Sequence, residues 1–331
     1  MNILFLEEQF SLQGTTRALI DYAFFNEKIL NNESFIAYGK RIQHPPWTEP
    51  YYKSFLDQTI NSLSNRFSVL EYKSYYDLEK YIKDNNIDAV YNIKSGEPTG
   101  FLSKAAKMLI HSVFPQPPSN VHGDRFAYVS KWLSDTYSEG QVPYVPHIIN
   151  IPKIDLDARK QIRNRLNIPE TAFVYGRIGG YNDFNLPFVY KAIEKALDNR
   201  KDLYFLMICT NPFINHERVI FIDPILDLKE KYQYISSTDA MIHARHHGET
   251  FGLAIAEFCA LNKPIITWKH GIGKGYIDIL KKDAIYYEDE NDLTNILVNF
   301  KPDKNKDYNS YREFTPENVM SQFQKVFLEN L

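Results

Sequence analysis

The sequence predicts an α/β protein with two domains, each built on a parallel sheet covered by helices. At 331 residues the chain exceeds what one hydrophobic core usually serves. Short apolar runs alternate with longer amphipathic runs throughout. One break, GQVPYVPHIINIPKID at 140–155, contains three prolines and has no helical period. We therefore expect an N-terminal domain over 1–148, a second domain over 149–312, and a C-terminal helix over 313–331 that packs back toward the first domain.

The predicted strands follow in chain order. In the first half they are NILFL (2–6), FIAY (35–38), SVLEY (68–72), DAVYNI (88–93), MLIHSV (108–113) and FAYVS (126–130). In the second half they are FVYGRI (173–178), LYFLMICT (203–210), VIFIDP (219–224), AMIHAR (240–245), PIITWK (264–269) and AIYYE (284–288). Amphipathic segments such as YYDLEKYIKDNN separate them and predict crossover helices.

Composition narrows the class of protein. Lys+Arg number 38 against Asp+Glu 41, a net charge of −3, so no basic surface for nucleic acid is expected. Cys209 and Cys259 lie inside apolar runs without metal-ligand spacing, which favours a reducing compartment. No apolar run approaches the roughly 18 residues of a membrane span. We expect a cytoplasmic protein.

Two glutamates stand out in HARHHGETFGLAIAEF, residues 243–258. Glu257 lies inside the apolar run LAIAEFCAL, where a buried carboxylate costs several kcal/mol unless a partner compensates it. Glu249 follows a predicted strand, and ligands of open α/β sheets bind at the carboxyl ends of strands. Both carboxylates are therefore expected to line one site. The alternative is an ordinary helix with one acid turned to water.

This segment resembles the E-x7-E motif of the retaining glycosyltransferases of family 4, which have the GT-B fold, two Rossmann-like domains facing across a cleft. The resemblance implies that Glu257 binds the ribose hydroxyls of a nucleotide-sugar donor and that Glu249 lies near the transferred sugar. It also implies that a helix begins here with backbone amides facing the donor, where the helix dipole favours anions. These amides are those of Thr250, Phe251, Gly252 and Leu253.

A second segment, FVYGRIGGYNDF, resembles the family's glycine-arginine segment. There Arg177 would clamp the donor diphosphate and take part in catalysis, because a guanidinium pairs well with phosphate oxygens. Family members commonly carry a lysine about five residues later, where this chain has Asn182 and Asp183. The candidate substitutes for this lysine are Arg245, Lys269 and Lys274. An ordinary surface charge is an equally good interpretation of each.

Two weaker resemblances lie in the first half. QGTTR, residues 13–17, resembles the family's small-residue loop beside the donor, where Gly14 permits close backbone approach. The alternative interpretation of this segment is an ordinary helix N-cap, which has the same residue pattern. LIHSVF resembles the strand that ends in a histidine near the reacting centre, which implies a catalytic role for His111. A structural histidine is the alternative.

The implied activity is transfer of a hexose from a UDP- or GDP-sugar to an acceptor hydroxyl of a glycan, glycolipid or glycoprotein, with retention and without a bound metal or other cofactor. The expected partners are the donor and a glycan or lipid-linked acceptor, which leaves peripheral membrane contact open. Two alternatives remain. A sugar-nucleotide 2-epimerase would use Glu97, and a catalytically silent sugar-nucleotide-binding subunit would explain the missing lysine.

Overall fold

The computed structural model describes residues 1–8, 10, 14–39 and 49–331. The chain divides into two compact units. Unit 1 comprises Met1–Ile148 and Phe314–Leu331, and unit 2 comprises Ile149–Glu313. Unit 1 is therefore made from two separate stretches of the chain.

Unit 1 alternates strands and helices. In chain order they are β1 (Asn2–Glu7), α1 (Gly14–Lys28), β2 (Glu33–Gly39), α2 (Glu49–Ser64), β3 (Ser68–Tyr72), α3 (Tyr75–Asp84), β4 (Ala89–Lys94), β5 (Lys107–Ser112), β6 (Arg125–Tyr128) and α4 (Lys131–Ser138). Within the described residues the six strands form one sheet in the order β3-β2-β1-β4-β5-β6, with every neighbouring pair parallel.

Unit 2 repeats the plan. Its elements are α5 (Ala158–Arg165), β7 (Phe173–Ile178), α6 (Pro187–Asn199), β8 (Leu203–Ile208), β9 (Val219–Ile222), α7 (Leu228–Ser236), β10 (Ala240–His243), β11 (Gly248–Glu249), α8 (Leu253–Ala260), β12 (Ile265–Trp268), β13 (Gly273–Lys274), α9 (Gly275–Leu280), β14 (Ile285–Tyr287) and α10 (Glu290–Asn299). The main sheet is parallel in the order β14-β12-β10-β7-β8-β9, and β11 pairs with β13 as a separate ribbon.

All the predicted strands are confirmed, with ends that differ by a few residues. These strands could be predicted from the sequence because helices cover both faces of a parallel sheet. A central strand therefore appears as a continuous apolar run. In β1, for example, every residue from Ile3 to Glu7 is buried. The strands β11 and β13 were not predicted, since two residues carry no periodicity.

The last helix, α11 (Pro316–Phe323), continues into a π-helical turn over Gln324–Leu328 and belongs to unit 1. Phe323 packs against Tyr22 and Tyr91 at ring-centroid distances of 5.3 Å each. Gln322 Nε2 donates to the carbonyl of Tyr144 at 2.6 Å. Across the described residues, no helix combines the length and apolar character that crossing a membrane requires.

Candidate functional site

Glu249 lies on the β11–β13 ribbon beyond the carboxyl end of β10. In the ribbon Gly248 pairs with Gly273, and Glu249 pairs with Lys274. The backbone of Gly248 has φ 62°, and a Cβ there would lie 2.2 Å from the carbonyl oxygen of Gly273. Only glycine fits, because both the backbone conformation and the close approach exclude a side chain. Gly248 thus fixes the position of Glu249.

Arg245 and His243 hold the carboxylate of Glu249. Arg245 Nη1 donates to Glu249 Oε1 at 2.9 Å, and His243 Nε2 lies 3.6 Å from the same oxygen. His243 Nδ1 is 2.9 Å from Thr267 Oγ1. Burial raises the pKa of Glu249, but the nearby imidazole of His243 and the charge of Arg245 together outweigh it, so the net pKa is below its ordinary value. Glu249 is therefore ionised at neutral pH.

Arg245 also pairs with Asp183, one of the two residues standing where the family commonly has a lysine. Arg245 Nε lies 3.1 Å from Asp183 Oδ1. Burial lowers the pKa of Arg245, but Glu249 and Asp183 raise it by more, so the net shift is upward. Asn182 Oδ1 accepts from Asn211. Of the substitutes considered for the missing lysine, Arg245 is thus the one whose side chain pairs with the carboxylate of Glu249.

Glu257 has a partner that sequence reasoning missed. The residue is buried in α8, and its Oε1 accepts from Lys231 Nζ at 2.5 Å and from the hydroxyl of Tyr232 at 3.1 Å. Both donors lie on α7, which precedes the motif in sequence. A local sequence pattern cannot predict a contact between residues 26 positions apart. Within the described residues, no hydrogen bond reaches the second oxygen, Oε2. The ion pair compensates the buried charge and leaves one oxygen of Glu257 for a ligand.

The helix after Glu249 begins later than predicted. It starts at Leu253, with Gly252 as N-cap in the left-handed region at φ 86°. Thr250 and Phe251 precede the helix, and the carbonyl of Phe251 accepts from the hydroxyl of Tyr311 at 2.7 Å. Of the four amides proposed to face a donor, only that of Leu253 belongs to the first helical turn. Glycine is required at 252 because the chain enters α8 through a conformation that side chains disfavour.

Arg177 lies near the carboxyl end of β7, but its guanidinium is turned to protein atoms. Nη1 donates to the carbonyl of Cys209 and to Thr210 Oγ1, each at 2.7 Å, and to the carbonyl of Ile208 at 3.2 Å. Nη2 donates to the carbonyl of Gly180 at 2.7 Å. Burial lowers the pKa of Arg177 to about 10, so the side chain stays protonated at neutral pH. The observed role is to brace two loops, which argues against a free diphosphate clamp.

His111 and Gly14, the two candidates in unit 1, lie in different settings. His111 is fully buried, with Nε2 2.9 Å from the carbonyl of Val145 and Nδ1 2.6 Å from the hydroxyl of Tyr91. A carbonyl only accepts, so Nε2 carries the proton and Nδ1 accepts from Tyr91. Both ring nitrogens are used, which favours a structural histidine over the predicted catalytic one. Gly14 is exposed at the first position of α1, and Gln13 of the same predicted loop is outside the described residues.

Lys269 and Lys274 border a cavity of about 310 Å³ in unit 2. Its other lining residues are Ile277, Lys281 and Tyr286. Lys269 Nζ pairs with Glu288 Oε1 at 2.5 Å, whereas Lys274 is the ribbon partner of Glu249. Within the described residues, no three or more His, Cys, Asp or Glu side chains are grouped so that they could hold a metal ion.

Comparison with solved structures gives matches along the whole chain. The Anabaena protein HepE, solved in complex with UDP and glucose, superposes with a TM-score of 0.73 at 14% identity, covering 99% of both chains. A glycosyltransferase from Rickettsia africae gives 0.63 at 15% identity, over 97% of this chain and 94% of that one. WaaG, a glycosyltransferase involved in lipopolysaccharide biosynthesis, gives 0.58 at 11%, over 100% and 96%. No protein-family model matches the chain, and no curated protein matches its sequence. With its two parallel six-stranded sheets and flanking helices, the chain has the GT-B fold of these glycosyltransferases.

Proposed function

We propose that the chain is a glycosyltransferase that moves a hexose from a nucleoside diphosphate sugar to an acceptor hydroxyl, with retention at the anomeric carbon and without a bound metal. The observation that carries the proposal is Glu257, a carboxylate inside an apolar helix whose Oε1 is neutralised by Lys231 while Oε2 stays available. A ribose diol offers two hydroxyl donors to such an oxygen. The GT-B fold supports the same assignment.

Lys231 contributes charge as well as position. An ammonium group has three N–H donors, and the bond to Glu257 uses one of them. The side chain retains 14% exposure, so the remaining donors can reach a donor phosphate. Lys231 would then serve in place of the lysine that the family commonly carries after the glycine-arginine segment.

Glu249 and Arg245 would act at the transferred sugar. Glycosyl transfer develops positive charge on the anomeric centre, and a fixed carboxylate lowers the energy of that charge. Arg245 keeps Glu249 ionised and oriented, so we assign Glu249 to electrostatic stabilisation rather than to a covalent intermediate. The departing diphosphate would accept the proton of the attacking hydroxyl on the same face of the sugar, which gives retention.

The donor site is tested by calorimetric titration with UDP, GDP, UDP-glucose and GDP-mannose. The structures of HepE with UDP and with UDP-glucose make the uridine nucleotides the first choice. We expect one nucleoside diphosphate to bind, and Glu257→Gln to weaken its affinity by about tenfold or more, since a hydrogen bond to a charged group contributes roughly 1.5–3 kcal/mol.

The matched control is Glu290→Gln. Glu290 forms an ion pair of similar length, though more exposed, with Lys195 at 2.6 Å in the same unit. It should bind as the unmodified protein does. A folded Glu257→Gln variant with unchanged nucleotide affinity would contradict the assignment of Glu257 to the donor site. A product whose anomeric configuration is opposite to that of the donor would contradict the retaining mechanism.

A further inference from the structure

The cavity of about 310 Å³ in unit 2 is lined by residues that the proposed function does not use. It lies at the edge of the sheet, between the residue that follows β12, the ribbon strand β13, helix α9 and the edge strand β14. Pockets for small molecules in proteins begin at roughly 300 Å³. The space is therefore large enough for a small ligand.

Three of the five lining side chains are lysines, and all three are exposed. Lys269 Nζ pairs with Glu288 Oε1 at 2.5 Å. Within the described residues, neither Lys274 nor Lys281 forms an ion pair. Ammonium groups that face one space repel one another, and an anion between them turns that repulsion into attraction. The cavity thus has two cations without a counter-charge.

The carboxylates near the cavity do not cancel its charge. Asp283 Oδ1 pairs with Lys306 Nζ at 3.2 Å, and Lys306 does not line the cavity. Asp278 and Asp283 are the two acids whose charge acts on the lining residue Tyr286. With Lys306 included, four lysines oppose the three carboxylates of Glu288, Asp278 and Asp283. The surroundings are therefore net positive.

Tyr286 and Ile277 give the cavity an apolar wall. Burial, and then the charges of Asp278 and Asp283, raise the pKa of Tyr286 to about 12, so the phenol is neutral at neutral pH. Its hydroxyl donates to the carbonyl of Lys281 at 2.7 Å, which ties β14 to the end of α9. A ring held in this way offers a fixed face to an apolar or ring-shaped part of a ligand.

The backbone of Lys281 is strained. At the C-cap of α9 it has φ 49° and ψ −124°, a combination that glycine adopts readily and residues with a side chain rarely adopt. Strain of this kind persists where the surroundings enforce it, and it is concentrated at ligand sites. The chain thus has a lysine beside the cavity at a position where glycine would fit with less strain.

We propose that this cavity binds a small phosphomonoester, with the phosphate between Lys274 and Lys281 and the rest of the molecule against Tyr286 and Ile277. A phosphomonoester carries about two negative charges at neutral pH, which matches the two lysines without a counter-charge. Lysine binds phosphate as a point charge, so two ammonium groups from different elements suit it. The volume equals that of roughly ten waters, which leaves room for more than the phosphate group.

The test is calorimetric titration of the whole protein at pH 7.5 and low salt with phenyl phosphate, inorganic phosphate and benzoate. We expect phenyl phosphate to bind, and the other two to bind about tenfold more weakly, because phosphate lacks the ring and benzoate has a single charge. Lys281→Gln should weaken phenyl phosphate binding by about tenfold or more. The matched control is Lys282→Gln, which removes the same charge from the next residue, outside the lining, and should leave the affinity unchanged.

Lys281→Gly distinguishes a ligand-binding lysine from a structural one. Glycine relieves the strained backbone, so the melting temperature should rise while the affinity for phenyl phosphate falls as it does in Lys281→Gln. A lysine with a structural role alone would lower the melting temperature on replacement and leave the affinity unchanged, and that result would contradict the proposal.

UDP added to the same samples separates this site from the proposed donor site. If UDP displaced phenyl phosphate from the unmodified protein but not from Glu257→Gln, the ester would occupy the donor site and the inference would be wrong. It would also be wrong if phenyl phosphate did not bind, if benzoate bound equally well, or if Lys281→Gln bound as tightly as the unmodified protein. A failure of UDP to bind contradicts the donor site and leaves this inference standing.

Discussion

At the scale of single residues, Arg177 shows how backbone carbonyl oxygens can satisfy a buried cation by accepting its hydrogen bonds. Three of its four acceptors are carbonyl oxygens, and Cys209 among them has a left-handed backbone at φ 52°. Such a conformation costs about 1–3 kcal/mol outside glycine and needs support from its surroundings. The bond from Arg177 to the carbonyl of Cys209 supplies that support.

We expect Arg177→Ala to destabilise unit 2 by about 3 kcal/mol or more, because it leaves several buried carbonyls without a donor. Any loss of nucleotide affinity should be equal for the nucleoside diphosphate and the monophosphate. Thermal unfolding measures the first effect, and calorimetry with UDP and UMP measures the second.

Arg163→Ala is the control for this prediction. Arg163 is a second buried arginine of unit 2, bonded to the carbonyl of Ala172 at 2.8 Å and to Asp239. Its loss should destabilise the unit similarly without changing nucleotide affinity. A selective loss of diphosphate binding in Arg177→Ala alone would restore the clamp predicted from the sequence.

At the scale of elements, the β11–β13 ribbon connects backbone geometry to the sugar site. We expect Gly248→Ala to push the two strands apart, because its Cβ would meet the carbonyl oxygen of Gly273 at 2.2 Å. Glu249 and Lys274 would then separate. Affinity for the nucleotide sugar should fall by about tenfold, whereas affinity for the nucleotide alone should change little, since Glu257 lies outside the ribbon.

Gly140→Ala is the control that separates backbone strain at a left-handed residue from displacement of the neighbouring strand. Gly140 also has a left-handed backbone, at φ 77°, but a Cβ there would meet nothing closer than Asp135 Oδ1 at 3.8 Å. It should lower stability by about 1–2 kcal/mol and leave both affinities unchanged. Equal effects of the two substitutions on nucleotide-sugar binding would refute the role of the ribbon.

The elements also show how far the sequence can be read. The sheets were predictable because their strands are continuous apolar runs, and a compensated Glu257 was predictable because an apolar helix cannot hold an isolated charge. Lys231 was not, since it lies on a different helix, α7, and meets Glu257 only in the folded unit. The interpretation of His111 depended on its partners, Val145 and Tyr91, which become neighbours only in the folded unit.

At the scale of the molecule, unit 1 should respond to acid through two buried histidines. Burial lowers the pKa of His111 to about 4 from an ordinary value of 6.5, and burial together with His111 lowers that of His147 well below its ordinary value. Both belong to unit 1. Because the folded state disfavours their protonated forms, the stability they contribute is complete above pH 6.5 and is lost as pH falls toward 4.

Between pH 7.5 and 5 we expect His111 to lower the free energy of unfolding of unit 1 by about 2 kcal/mol and His147 to lower it further, whereas Glu7, whose pKa burial raises to about 8, opposes them by gaining a proton in the folded state. Hydrogen exchange in β5 of unit 1, corrected for its intrinsic pH dependence, measures the acceleration that these histidines cause on acidification. His111→Gln, which can keep both hydrogen bonds and does not titrate, should reduce the acceleration. His247→Gln, at an exposed site, should not. An unchanged acceleration of β5 in His111→Gln would count against the assignment.

The return of the chain to unit 1 has a consequence for the order of synthesis. Phe323 and Phe327 pack against Tyr91, so the aromatic core of the unit made first is completed by residues made after unit 2. On the ribosome, unit 2 can fold from a continuous stretch of chain. Until the C-terminal residues are synthesised, the aromatic core of unit 1 stays incomplete. Of the two units, the one that is synthesised first is thus the one completed last.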